Sequence, residues 1–170
     1  MYGDDASRRK RLGGNCLLGS VVAAGLIVAA GGALAAGADA GAQPTKAAYG
    51  VIFQIDQGRP GAIKKTLNNI KNILNDPRFR GRKLRVELIA NAKGFAVYVK
   101  GNGFEQELRQ LKADGVELAE CANTLRELHV DRSNLYGFIT VVPSGMGEIV
   151  IREGQGWAYI HPSAPPANQL

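Results

Sequence analysis

Hydrophobic positions along this chain fall into dense short runs separated by spaced stripes. Val51-Ile52-Phe53-Gln54-Ile55 is nearly continuous, the mark of a strand buried on both faces. Ile63, Leu67, Ile70 and Leu74 then recur at steps of four, three and four, which predicts a helix over 60–75 with one apolar stripe, stopped by Asp76-Pro77. Residues 84–90 read as a second strand and Asn91-Ala92-Lys93-Gly94 as a turn. Phe104, Leu108 and Leu111 stripe a second helix that Asp114-Gly115 closes. Strands three to five are expected at 116–120, 138–142 and 157–160, with short helical segments at 122–128 and 132–136. The Gly-x-Gly fragments at 101–103, 145–147 and 154–156 read as turns. None completes a dinucleotide-binding fingerprint after the first strand. The apolar patch Phe95, Val97, Tyr98 and Val99 serves either as a contact between copies or as an internal helix packed on the sheet. Strands alternating with helices imply right-handed crossovers and a mostly parallel five-stranded sheet between two helical layers.

The first 42 residues stand apart from this pattern. Arg8, Arg9, Lys10 and Arg11 precede an uncharged stretch from Leu17 to Ala36, and small residues follow at several positions. These are the parts of a secretory signal peptide, and the Arg8-Arg9 pair gives it a partial twin-arginine character. The alternative is an uncleaved anchor over residues 16–36, with Met1 on the cytoplasmic side. Either way the domain at 43–162 is expected to be exported, to the periplasm or tethered to the inner membrane. Residues 163–170, rich in proline, read as a loose tail.

Composition narrows the remainder. The 170 residues carry 45% hydrophobic and 21% charged positions, which excludes a wholly disordered or collagenous chain. Residues 43–170 hold 17 basic and 12 acidic side chains, a net charge of +5. Arg78, Arg80, Arg82, Lys83 and Arg85 form the dense basic run. Without interleaved aromatic residues it reads as a solvated loop between helix and strand, and no nucleic-acid partner is expected.

One residue looks chemical. Cys121 directly follows the third strand and opens a helical segment, so unpaired backbone N–H groups face its thiol and favour the thiolate. It is the only cysteine of residues 43–170, which excludes an intramolecular disulfide and a multi-thiolate zinc site there. The opposing reading is a small buried hydrophobe. A Cys-His hydrolase would need His129 or His161 within reach of the thiol, and each reads more simply as a surface residue. No Gly-x-Ser-x-Gly elbow, phosphate-binding loop or His-Glu-x-x-His motif occurs.

Cys121-Ala122-Asn123-Thr124-Leu125, Val141-Val142-Pro143-Ser144-Gly145 with Glu148-Ile149, and Gln155-Gly156-Trp157-Ala158-Tyr159-Ile160-His161-Pro162 together resemble the DsrE/DsrF-like family. The resemblance spans residues 49–162. It implies a three-layer flavodoxin/Rossmann-like domain, assembled as a homo-oligomer (dimer, trimer or hexamer). It also implies sulfur relay, with sulfane sulfur carried as a persulfide on Cys121 between donor and acceptor proteins or small sulfur compounds. Asn123 and Thr124 would then supply polar contacts, and Ser144 and Gly145 the facing wall. Lys93 would add positive potential. Many relatives carry a His-Gly pair after the second strand, where this chain has Asn91-Ala92 before Lys93-Gly94. No metal or organic cofactor is implied. The rival expectation is a non-catalytic oligomeric binding module with a structural Cys121.

Overall fold

The apolar runs become the strands of one parallel sheet. A computed structural model describes residues 41–163, with β1 at Ala48–Ile55, β2 at Lys83–Ala90, β3 at Glu117–Cys121, β4 at Thr140–Val142 and β5 at Ala158–Ile160. The strand order is β4-β3-β2-β1-β5 and every pairing is parallel. Helices α1 (Pro60–Leu74), α2 (Glu105–Ala113), α3 (Ala122–Glu127) and α4 (Gly145–Gly154) flank it. The architecture is α/β and consistent with a flavodoxin- or Rossmann-like fold. The proposed leader or anchor lies outside the described residues except for Gly41 and Ala42, and the tail except for Ser163. No helix among the described residues is long and apolar enough to cross a membrane.

The two faces of the sheet are unequal. Ile63, Leu67 and Ile70 of α1, Leu108 and Leu111 of α2 and Leu125 of α3 bury one face, together with Val97 and Tyr98. The other face is covered by α4, whose Ile149 packs on Ile52, Ile89 and Ala119. β3 thus sends its connection to one face, and the neighbouring β4 sends its own to the opposite face. The carboxyl ends of these two strands therefore form a topological switch point, the place where doubly wound sheets bind ligands.

Several elements depart from the sequence reading. Residues 145–147 and 154 are not turns: Gly145-Met146-Gly147 is the first turn of α4, whose last residue is Gly154. Ser144 makes this possible by capping the helix, its Oγ accepting from the Gly147 N–H at 3.2 Å. Glu148 lies in the same first turn, and burial of Ile149 holds the helix on the sheet.

Residues 92–98 form a 3-10 helix where a four-residue turn was expected. Gly94 sits so close to the end of β1 that a Cβ there would lie 2.0 Å from the Ile55 carbonyl oxygen. This docking buries Val97 and Tyr98 in the core, so of the two readings of that patch the internal helix is the observed one. β4 is shorter than expected, with Phe138 and Ile139 packing on the core ahead of it. Only the first part of the basic run is the expected exposed connection, with Arg78 paired to Asp76 and Arg82 donating to the Lys46 carbonyl at 2.7 Å, while Lys83 and Arg85 lie in β2 and Arg85 pairs with Glu117.

Candidate functional site

Cys121 is the last residue of β3 and the N-cap of α3, one position earlier in the fold than the sequence reading placed it. Strand alternation turns its side chain toward the α4 face, beside Ile89 and Gly145. It is a free thiol, 5% exposed. Burial pushes its pKa up, but the N–H groups of Gly145, Thr124 and Asn123 and the Thr124 hydroxyl together outweigh burial. The thiol therefore lies below the ordinary cysteine value. Cys121 thus stands between the starts of two helices, α3, which it caps, and α4, whose Gly145 lies against its Cβ.

Each neighbour has a traceable cause. Thr124 is buried on α3 and works twice: its Oγ1 accepts from the Ala92 N–H at 2.9 Å while its hydroxyl faces the sulfur. Ala92 reaches this position with φ of 47°, a left-handed conformation that is strained for alanine. The Asn91 side chain accepts from Gln54 Nε2 at 2.8 Å, and Gln54 in turn accepts from the Tyr159 hydroxyl. This chain of amides and hydroxyls runs along the strand ends toward β5.

The expected site residues separate into two groups. Cys121, Thr124, Gly145 and Asn91 converge. Asn123 contributes its N–H, not its side chain, which bonds to Arg126. Ser144 is a helix cap, so it positions Gly145 without presenting its hydroxyl to the thiol. Lys93 is exposed. His161 pairs with Asp56 at 3.0 Å, beside β1. It stands three strand spacings from Cys121, about 14 Å, too far for a Cys-His pair within the chain. His129 is exposed beyond α3, with φ of 52°.

Two features escaped the sequence reading. Glu120, next to the thiol, is completely buried. Beneath α4, Arg152 reaches Glu87 at 2.6 Å, Glu148 at 3.0 Å and Glu117, while Arg152 and Arg85 lie over the Trp157 ring. Burial pushes Glu87 up to about 7 against the pull of Arg152. The available signal was a charged residue at an inward position of an otherwise apolar strand.

A cleft of about 440 Å³ beside α3, lined by Leu125, Arg126, His129 and Arg132, adjoins the site through Ala122 but does not include Cys121. No cluster of three or more His, Cys, Asp or Glu side chains suited to a metal ion occurs among the described residues.

Fold and site define an α/β domain with a thiol held at a topological switch point. No family model and no curated protein matches the chain. Among solved structures it is similar to a protein of unknown function, MTH1491 from Methanobacterium thermoautotrophicum, at 32% identity and a TM-score of 0.62. The match covers 67% of this chain and 99% of that one. The chain belongs to the same family as MTH1491.

Proposed function

We propose that this protein is an exported sulfur-relay protein that carries sulfane sulfur as a persulfide on Cys121. The observation that carries the reading is the placement of the thiol: Cys121 caps α3 and lies against Gly145 at the start of α4, where the N–H groups of both helices and the Thr124 hydroxyl lower its pKa. In the loading step the Cys121 thiolate attacks the outer sulfur of a donor persulfide, R–S–SH. A new S–S bond forms, the donor S–S bond breaks, and RS⁻ leaves with its electron pair. An acceptor thiolate then attacks the outer sulfur of Cys121 and restores the original thiolate. Neither step needs an external oxidant or a metal. The same donors that hold the thiolate would stabilise it as leaving group in the second step.

Self-association belongs to this reading. Met146, Val150 and Ile151 on α4 and Tyr159 and Ile160 on the edge strand β5 expose apolar surface on the described chain. A second reading, a binding module of the same fold, is favoured by the 5% exposure of Cys121. Intact mass spectrometry before and after treatment with polysulfide separates them. A reducible gain of whole sulfur atoms, absent from Cys121→Ser, supports relay. No adduct on a folded protein that also resists alkylation makes the cysteine a packing residue.

A further inference from the structure

Glu120 directly precedes Cys121, so the pleat sends its side chain to the opposite face of the sheet. It is 0% exposed, and neither carboxyl oxygen has a hydrogen-bond partner. Its cross-strand neighbours are Ala90 and Val141. The layer packed on this face brings Val97 and Tyr98 from the 3-10 helix, Leu125 from α3 and Tyr136 from the loop before β4. Of the titratable groups there, Tyr98 donates to the Leu88 carbonyl at 2.7 Å and Tyr136 to Asn102 at 2.8 Å, so neither serves the carboxyl. The charged side chains of α3, Arg126 and Glu127, are exposed, as are Lys93 and Lys100 at either end of the 3-10 helix. No ion pair among the described residues includes Glu120.

An ionised carboxylate in this position would carry its desolvation cost with only the Cys121 N–H to offset it. Across the strand the balance is reversed, because four donors favour the charged sulfur and a single one, the Cys121 N–H, favours the charged carboxyl. The two groups are one residue apart, and charge on either disfavours charge on the other.

We propose that Glu120 is the positioning residue of the Cys121 site: an acid held in its neutral form, so that the one negative charge of this strand end resides on the sulfur. Burial, with the Cys121 charge as a further push, moves the carboxyl up to about 8, while the dipole of the Cys121 N–H opposes them. The inference rests on Cys121 being the nucleophile of the proposed relay.

The test is the pH profile of Cys121 alkylation by iodoacetamide in the wild type and in Glu120→Gln, which mimics the neutral acid. The wild type should show two rises: one as the thiol ionises, and a second of about threefold as the carboxyl ionises and makes the thiolate more basic, for a coupling of about one pK unit. Glu120→Gln should keep the first midpoint and lose the second rise. A single rise in the wild type, a second rise that survives in the variant, or a first midpoint that falls in the variant overturns the proposal.

Carbon-13 titration of the glutamate carboxyls in the wild type and in Cys121→Ser decides it independently. Two carboxyls, Glu87 and Glu120, should titrate far above the ordinary glutamate range, and only the higher of the two should move down without the thiol. An unchanged or ordinary midpoint overturns the proposal even if Glu120→Gln does not fold. A thiol that never alkylates overturns the relay reading instead, and the carbon-13 comparison still decides the role of Glu120.

Discussion

A Cβ placed on Gly145 would lie 3.3 Å from Cβ of Cys121, 3.4 Å from Cγ1 of Ile89 and 3.5 Å from Cβ of Asn91. That closeness brings the first N–H of α4 to the sulfur. Gly145→Ala forces the neighbours apart by a few tenths of an ångström, at a cost of roughly 1–3 kcal/mol. It should also raise the pH midpoint of Cys121 alkylation, and Gly145→Val should do more of both. Urea melts and alkylation profiles that match the wild type would show that the helix start has room to spare.

Thr124→Val removes one hydroxyl and with it two interactions. The Ala92 N–H loses its acceptor, which costs about 1 kcal/mol for this part-buried bond. The sulfur also loses its side-chain donor, so the alkylation midpoint should rise. Thr124→Ser should restore most of both effects. A midpoint unmoved in the valine variant would assign the thiol's ionisation to the backbone donors alone.

Burial raises the pKa of Glu120 to about 8 and of Glu87 to about 7, against 4.5 for the ordinary side chain. Between about pH 4.5 and pH 8 the folded chain therefore binds more protons than the unfolded one. Stability is fully present below that window and is lost as the pH rises through the folded values. The urea midpoint should fall from about pH 5 to pH 8, and Glu120→Gln should flatten the part above about pH 7. A pH-independent midpoint across this window would mean that both carboxyls ionise normally.

Arg152 holds three carboxylates, one of them the buried Glu87. Arg152→Met leaves Glu87 without its partner and should cost about 3–5 kcal/mol above pH 7, where that carboxyl ionises, and less below it. Adding Glu87→Leu should recover much of the loss, because it removes the orphaned charge along with the partner. If the double variant were as unstable as the single one, lost packing of Arg152 on Trp157 would be the dominant effect.

Val150 is 69% exposed on a helix whose other outward positions include Met146 and Ile151. Val150→Asp with Ile151→Asp should dissociate an assembly built on this face without unfolding the chain. Sedimentation velocity against the wild type measures this, with circular dichroism as the control. Identical sedimentation would place any association elsewhere.

The strands and helices α1 and α2 were readable because their apolar positions repeat with a clean period: Ile63, Leu67 and Ile70 lie buried where the stripe placed them. Cys121 was readable because it stands at a strand-to-helix junction. α4 was not, since three glycines in ten residues hide a helix that forms through the Ser144 cap and the docking of Ile149. The 3-10 helix over 92–98 was likewise hidden, because it depends on Gly94 meeting β1, a contact between residues distant in sequence. Glu120 and Arg152 show a further limit. Sequence marks a charge in an apolar strand, but only the packing around it reveals whether that charge finds a partner.

Because most donors to the sulfur belong to the main chain, the site is largely indifferent to which side chains surround it. Residues at 123 and 146 could change over many generations while the N–H of Asn123 and the start of α4 stay in place. What could not change freely is an absence, the missing side chain at Gly145. Such a pocket can persist in lineages whose sequences have drifted far apart, and shape would trace its descent better than residue identity.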